Sequence, residues 1–305
     1  MQGPPPDVSV CIVSWNVADD LRACLKSIRG QHTPPTFEII VADNASSDES
    51  VAMLREHFPE VKVIVNERNL GFARACNQTL RAARGRYLLV LNPDTVLEPD
   101  ALEKLVAVAD AHPQAGIVAP KLVYPDGSLQ HSCRRFPTIT AAVFRNTLLG
   151  RVFPNATAAS RYIMADRDHD TEQEVDWASG ACLLIRREAY EEVGELDEGF
   201  VWGSEDVDYC LRMHQAGWTV LYSPVTTVVH AVGRSSDQAV IRTILRTHRG
   251  MFRLYSKHFA RNPLAKALVF LGVWLRGGLL VASWCVRWLV VRLTAPVRRL
   301  WRRWR

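Results

Sequence analysis

Asp94 closes the run Tyr87-Leu-Leu-Val-Leu-Asn-Pro-Asp94, where an apolar segment stops at a proline turn and presents one carboxylate. A short apolar run bounded by a turn fits a strand buried on both faces of a parallel sheet. Loops beyond the carboxyl ends of such strands are where doubly wound sheets bind ligands. A lone carboxylate there suits Mg²⁺ or Mn²⁺ held together with substrate phosphates; the same tripeptide also serves as a turn that starts the next helix. A second acidic site is Glu205-Asp206, immediately before the helically spaced Val207, Cys210 and Leu211. Carboxylates at a helix start either cap the dipole, worth about 0.3–1 kcal/mol, or serve as a general base aimed into a cleft. His230 ends an apolar stretch, as a hydrogen-bonded residue or as a ligand.

The elements that must position these residues follow from periodicity. Apolar strands are expected at Val8 to Ser14, Phe37 to Ala42, Val61 to Val65, Tyr87 to Leu91 and Gly116 to Pro120. Helices are expected between them, from Ala18 to Ile28, Glu49 to His57, Leu70 to Arg84 and Pro99 to Ala111. The cluster Asp43-Asn-Ala-Ser-Ser-Asp48 reads as the start of the second helix. Strands alternating with helices predict an α/β fold with a doubly wound, mostly parallel sheet flanked by helices. From Val123 to Glu174 the pattern is irregular, an excursion over the site. Val175 to Arg186 returns as a strand interrupted by Ser179-Gly180-Ala181, where a bulge or a close ligand approach is expected. Trp218 to Tyr222 and Thr226 to Val229 read as two more strands.

Composition narrows the function. No G-x-G-x-x-G follows the first strand and no G-x-x-x-x-G-K-[ST] occurs, which argues against dehydrogenases and P-loop enzymes. Seven scattered cysteines without C-x-x-C predict neither a disulfide framework nor a structural zinc site, and point to a reducing compartment. Residues 1–6 carry no signal-peptide pattern and are expected to be disordered. The net charge of +5 hides an asymmetry: fifteen of the 37 Lys and Arg, and none of the 32 Asp and Glu, lie from Gln238 onward. The body, residues 7–237, is therefore acidic, and residues 238–305 form a basic appendage.

The ordered set Ser14-Trp-Asn16, Asp43-Asn-Ala-Ser-Ser-Asp48, Asn69-Leu-Gly-Phe-Ala-Arg-Ala-Cys-Asn77, Leu-Asn-Pro-Asp94, Ser-Gly180-Ala and Glu205-Asp206 resembles the family-2 inverting glycosyltransferases. These have the GT-A fold, and the nearest likeness is to the rhamnosyltransferase-like branch acting on lipid-linked cell-surface glycans. The resemblance spans about residues 7–235. It implies that Asp43 reads the pyrimidine base of a sugar nucleotide, that Ser14 and Asn16 border base and ribose, and that Asn69 and Asn77 flank the nucleotide. It implies that Asp94 binds a divalent metal, Mg²⁺ or Mn²⁺, against the diphosphate, with His230 completing the coordination. Asp206, with Glu205, matches the catalytic base, and Trp202 and Gly180 face the acceptor, Trp202 either stacking on a sugar or packing under its loop. Asn92 departs from the family's D-x-D motif, leaving one fewer anionic ligand.

The implied partners are a nucleoside diphosphate sugar, with dTDP-rhamnose the expected donor, and a polyprenyl-diphosphate-linked acceptor. A sugar nucleotidyltransferase is the first rival, but it would want a glycine-rich basic loop that Ser14-Trp-Asn-Val-Ala-Asp-Asp20 does not supply. A catalytically degenerate scaffold is the second, supported only by Asn92. In the appendage, Arg242, Arg246, Arg249, Arg253 and Lys257 share one helical stripe. Leu264 to Leu293 is apolar but broken by Lys266, Arg276, Arg287 and Arg292, and Gly277-Gly278 divides it. An interfacial helix or shallow hairpin on the anionic cytoplasmic face of a membrane is expected, rather than a nucleic-acid-binding tail.

Overall fold

The computed structural model describes residues 4–137, 161–201, 203–231 and 240–302. In chain order its elements are β1 (Val8–Ser14), α1 (Ala18–Arg29), β2 (Phe37–Asp43), α2 (Ser50–His57), β3 (Lys62–Val65), α3 (Phe72–Ala82), β4 (Tyr87–Leu91), β5 (Thr95–Leu97) and α4 (Ala101–Ala111). They continue as β6 (Ala115–Val123), β7 (Leu129–Gln130), β8 (Cys133–Arg134), β9 (Gln173–Glu174), β10 (Trp177–Ala178), β11 (Cys182–Arg186), α5 (Arg187–Val193), α6 (Glu205–Gln215) and β12 (Thr219–His230). Two further helices follow, α7 (Val240–His258) and α8 (Pro263–Arg302).

The central sheet runs β3-β2-β1-β4-β11-β6-β12-β5. Its first four strands are parallel, as uninterrupted apolar runs between helices require. β11 is inserted antiparallel to β4 and β6, and β12 runs parallel to β6. β1 and β4 are buried along their whole length, so the core lies on both faces of the sheet. Amphipathic helices cover it; Leu21, Leu25 and Ile28 of α1 are fully buried at the three- and four-residue spacing of one helix face.

Three expectations change. The segment around Gly180 is not one interrupted strand: β10 pairs with β8 in a separate two-stranded ribbon, while β11 joins the central sheet. Gly180 thus marks where the chain passes between sheets. The two strands expected after Trp218 are one, with its irregularity between Ser223 and Thr227. The N-terminus is partly tied down, since the Pro6 carbonyl accepts a hydrogen bond from Arg86 N at 3.2 Å.

The chain divides into two compact units, residues 1–198 with 205–235, and residues 199–204 with 236–305. The expected boundary at 237 lies outside the described residues. In the second unit α8 is a single helix of 40 residues, so the shallow hairpin does not form. Gly277 stays helical and is the point where α8 approaches α7: a Cβ there would sit 3.2 Å from the His248 ring. Phe252 and Phe270 meet edge to face at 5.1 Å, and Arg276 Nη1 lies 3.4 Å from His248 Nε2. Pro263–Trp288 is long and apolar enough to cross a membrane by length and composition, and Gly277 is its one buried residue.

Candidate active site

The β1–β2 register sets Ser14 directly beside Asp43 at the carboxyl ends of adjacent parallel strands. Both are fully buried. Asp43 Oδ1 accepts from Ser46 N at 2.9 Å, a turn that Ala45 permits by taking a left-handed φ of 65°. Asp43 Oδ2 and Ser14 Oγ are buried with no hydrogen-bond partner among the described residues. Buried polar atoms are nearly always paired, so two neighbouring orphans at a strand edge ask for a ligand. Asn16 also adopts a left-handed φ, 54°, and its Oδ1 accepts from Ser47 N at 2.7 Å, which laces the first loop to the second.

Asn44, which the sequence reading passed over, holds the neighbouring loop. Its Nδ2 donates to Asn69 Oδ1 and Gly71 O, and its Oδ1 accepts from Leu70 N at 2.8 Å. Asn69 Oδ1 also accepts from Gly71 N, so Asn69 shapes the turn into α3. Asn77 is bonded to the loop that follows α5. Its amide donates to Leu196 O at 2.9 Å and accepts from Leu196 N at 3.0 Å, and the residue is fully buried. With Nδ2 also 3.3 Å from Glu198 Oε1, it clamps the 195–198 loop.

Asp94 lies between β4 and β5. Its carbonyl accepts from Ala231 N at 3.0 Å, and the antiparallel β5–β12 register brings Thr95 opposite His230. Asp94 Oδ1 and His230 Nε2 converge to 3.4 Å, each side chain only 10% exposed. Asn92 Nδ2 lies 3.3 Å from the same Nε2. Among the described residues no group of three or more His, Cys, Asp or Glu could hold a metal. A carboxylate and an imidazole nitrogen nonetheless fit a hard divalent cation whose remaining ligands are phosphate oxygens and water.

Asp206 occupies the first turn of α6, where Oδ1 accepts from Val207 N at 2.9 Å and Oδ2 from Gly180 N at 3.2 Å. Gly180 is thereby a neighbour of Asp206: a Cβ on it would lie 3.5 Å from Asp206 Cβ, an ordinary contact. Burial pushes the Asp206 carboxyl above the usual carboxylate range, against the pull of these two N–H groups and of the Arg134 charge. Arg134, also passed over, is held by stacking, its guanidinium 5.1 Å from the Trp177 ring and 5.9 Å from the Tyr162 ring. The signal was an Arg-Arg pair within an otherwise uncharged stretch, but its ring partners lie 28 and 43 residues on. Glu205 starts α6 beside Asp206. Trp202 lies outside the described residues.

A mixed, mostly parallel central sheet flanked by helices is the GT-A arrangement of glycosyltransferases. Solved structures share the fold. GalNAc-T7, crystallised with UDP, GalNAc and Mn²⁺, superposes with a TM-score of 0.58 at 18% identity, over 84% of this chain and 48% of that one. The mannosyltransferase PcManGT from Pyrobaculum calidifontis, in complex with GDP-Man and Mn²⁺, gives 0.55 at 18% identity, over 94% and 81%. In sequence, the glycosyl transferase family 2 profile matches residues 9–194, and the chain belongs to that family. It is 30% identical over 255 residues to the N-acetylglucosaminyl-diphospho-decaprenol L-rhamnosyltransferase of Mycobacterium tuberculosis, covering 80% of this chain and 82% of that one. It is 25% identical over 231 residues to rhamnosyltransferase WbbL of Escherichia coli K12, covering 73% and 83%.

Proposed function

We propose that this glycosyltransferase moves L-rhamnose from dTDP-rhamnose to a polyprenyl-diphosphate-linked glycan acceptor, with inversion, at the cytoplasmic face of a membrane. The observation that carries the nucleotide half of this reading is the buried, unpaired Asp43 Oδ2 beside Ser14 Oγ. A carboxylate oxygen facing inward at a strand end accepts from the N–H of a pyrimidine base. That gives base selectivity without a phosphate loop. The rhamnose donor and lipid-linked acceptor are drawn from the names of the mycobacterial and Escherichia coli relatives.

Asp94 and His230 would hold a Mg²⁺ or Mn²⁺ ion against the diphosphate; when bound, the cation stabilises charge developing on the leaving group. Asp206 takes the proton of the acceptor hydroxyl. That oxygen attacks the anomeric carbon from the face opposite the diphosphate, the bond from anomeric carbon to phosphate oxygen breaks, and the nucleoside diphosphate leaves with the electron pair. A partly buried carboxylate with a raised proton affinity is a stronger base than a solvated one and works nearer neutral pH. The Gly180 and Val207 N–H groups and Arg134 pull its proton affinity back down, against the effect of burial.

The second unit would bring the enzyme to its acceptor. The Pro263–Trp288 stretch has mean hydropathy 1.7, and at about 1.5 Å per residue a helix of that length exceeds the roughly 30 Å hydrocarbon core. Lys and Arg concentrate around it without a single Asp or Glu, which favours anionic lipid and the cytoplasmic side.

The decisive experiment is a thermal-shift panel of detergent-solubilised protein with UDP, dTDP, GDP and CMP, each with and without Mn²⁺. Ligands that bind only the folded chain raise its melting temperature by mass action. A metal-dependent shift largest with dTDP is expected, followed by rhamnose transfer to a lipid-linked acceptor. A panel with no shift would leave the scaffold reading in its place.

A further inference from the structure

A buried glutamine lies behind the Asp94–His230 pair. β6 turns at Tyr124-Pro125-Asp126-Gly127, a sequence made for tight turns. Gly127 N donates to Tyr124 O, Gly127 takes φ 82°, and the Asp126 carboxylate accepts from Ser128 N and Oγ. The hairpin returns Gln130 alongside Leu122 of β6, whose other edge carries the β12 strand that ends at His230. Gln130 and His230 are both 8% exposed, and Gln130 Oε1 lies 2.8 Å from His230 Nδ1.

An amide oxygen can only accept, so this contact requires the proton on Nδ1. The other ring nitrogen then carries a lone pair directed at the space shared with Asn92 Nδ2, which donates to it, and with Asp94 Oδ1. We propose that Gln130 is a positioning residue for the cation site: by accepting Nδ1–H it fixes the His230 tautomer and ring orientation that leave Nε2 free to coordinate. Partners of this kind behind metal-binding histidines typically change metal affinity by roughly 10–100-fold when removed. In this arrangement Asn92, the departure from D-x-D, donates to Nε2 while no cation is bound there. The inference rests on the metal-dependent reading above and adds to it a residue some hundred positions from the histidine it orients.

The test is Mn²⁺ titration by electron paramagnetic resonance in the presence of dTDP, on the full chain, for wild type, Gln130→Leu and Gln130→Glu. Gln130→Leu is expected to bind Mn²⁺ roughly 10–100-fold more weakly, while metal-free dTDP affinity is unchanged. Gln130→Glu, which keeps an acceptor on Nδ1–H, is expected to bind at least as well as wild type. Equal affinity in wild type and Gln130→Leu overturns the inference alone. Failure of wild type to bind Mn²⁺ with dTDP overturns the metal reading together with it. Because the leucine variant could misfold, nitrogen NMR of histidine-labelled wild type gives an independent readout. A His230 signal with Nδ1 protonated supports the proposal, and one with Nε2 protonated overturns it.

Discussion

Replacing Asp43 by Asn should pull nucleotide affinity and stability in opposite directions. The substitution is nearly isosteric, and an Asn oxygen can keep the 2.9 Å bond from Ser46 N. The atom that changes is Oδ2, buried without a partner, which becomes an NH₂ group. In the complex this removes a charged acceptor and sets a donor against the base N–H. Hydrogen bonds to charged groups are worth about 1.5–3 kcal/mol, so nucleotide affinity should fall by roughly 10- to 150-fold at about 1.4 kcal/mol per decade. Without nucleotide, an unpaired buried amide is less costly than an unpaired buried carboxylate oxygen, and a gain of about 1 kcal/mol is expected. For a domain of this size that is roughly 2–4 °C in melting temperature. Isothermal titration with dTDP and a thermal melt of the ligand-free variant read the two effects separately. Unchanged affinity would remove Asp43 from the nucleotide site. A melting temperature lowered by many degrees would make it a structural cap for the 44–48 loop instead.

Three further outcomes follow from the same geometry. Asp206→Asn should abolish transfer while leaving dTDP binding intact, measured by turnover and titration; near-native turnover would remove Asp206 as the base. Its folded-state carboxyl is raised above its unfolded value, so it contributes stability at low pH that is lost as pH rises through the raised value. The Asn variant should therefore melt higher than wild type at neutral pH, with the difference vanishing below the ordinary carboxylate range of about 3.9. Asn77→Ala leaves Leu196 N and O unpaired and should cost about 2–4 kcal/mol in a urea melt, with donor KM unchanged; a selective KM effect would return Asn77 to the nucleotide site. In flotation assays the full chain should associate with phosphatidylglycerol vesicles far more than with phosphatidylcholine vesicles, and equal partitioning would refute the role given to the basic residues.

The site residues that were legible in the sequence lie at ends of elements. Asp43 and Asp94 each follow an uninterrupted apolar strand, and Asp206 opens a helix whose spacing is plain, so element boundaries alone place them near one edge of a sheet. What periodicity could not give is pairing between distant segments. Nothing local distinguishes Asn77, clamped to Leu196, from Asn69, which shapes its own turn. Gln130 looks like any polar residue in a short strand until His230 arrives a hundred residues later. The Gly180 segment misled for a related reason: strand-like residues lie on both sides of Ser179-Gly180-Ala181, and only the partner strands reveal that β10 and β11 belong to different sheets. Gly277-Gly278 misled in the opposite sense. Two glycines suggest a break, but the helix continues, and the missing side chain at Gly277 eases a close approach to His248, where a Cβ would sit 3.2 Å from the ring.

Sorting the buried polar groups by whether they are satisfied turns these placements into a functional reading. Asn44 and Asn77 are buried and hydrogen-bonded at both ends of their amides, so their burial is offset within the chain and they hold loops. Ser14 Oγ and Asp43 Oδ2 are buried and unpaired, at about 1–3 kcal/mol each in desolvation. Among the described residues Ser50 Oγ, Tyr209 Oη, Ser256 Oγ and Trp274 Nε1 are unpaired too, but they lie within α2, α6, α7 and α8 rather than at the carboxyl edge of the sheet. A cost concentrated on two adjacent strand ends is one that a bound base can repay, because a single ligand edge offers a donor and an acceptor together. Under the proposed function, these two unpaired atoms would hold part of the free energy that selects the nucleotide. For that reason the stability gain of Asp43→Asn and its loss of affinity are two measurements of the same unpaired oxygen.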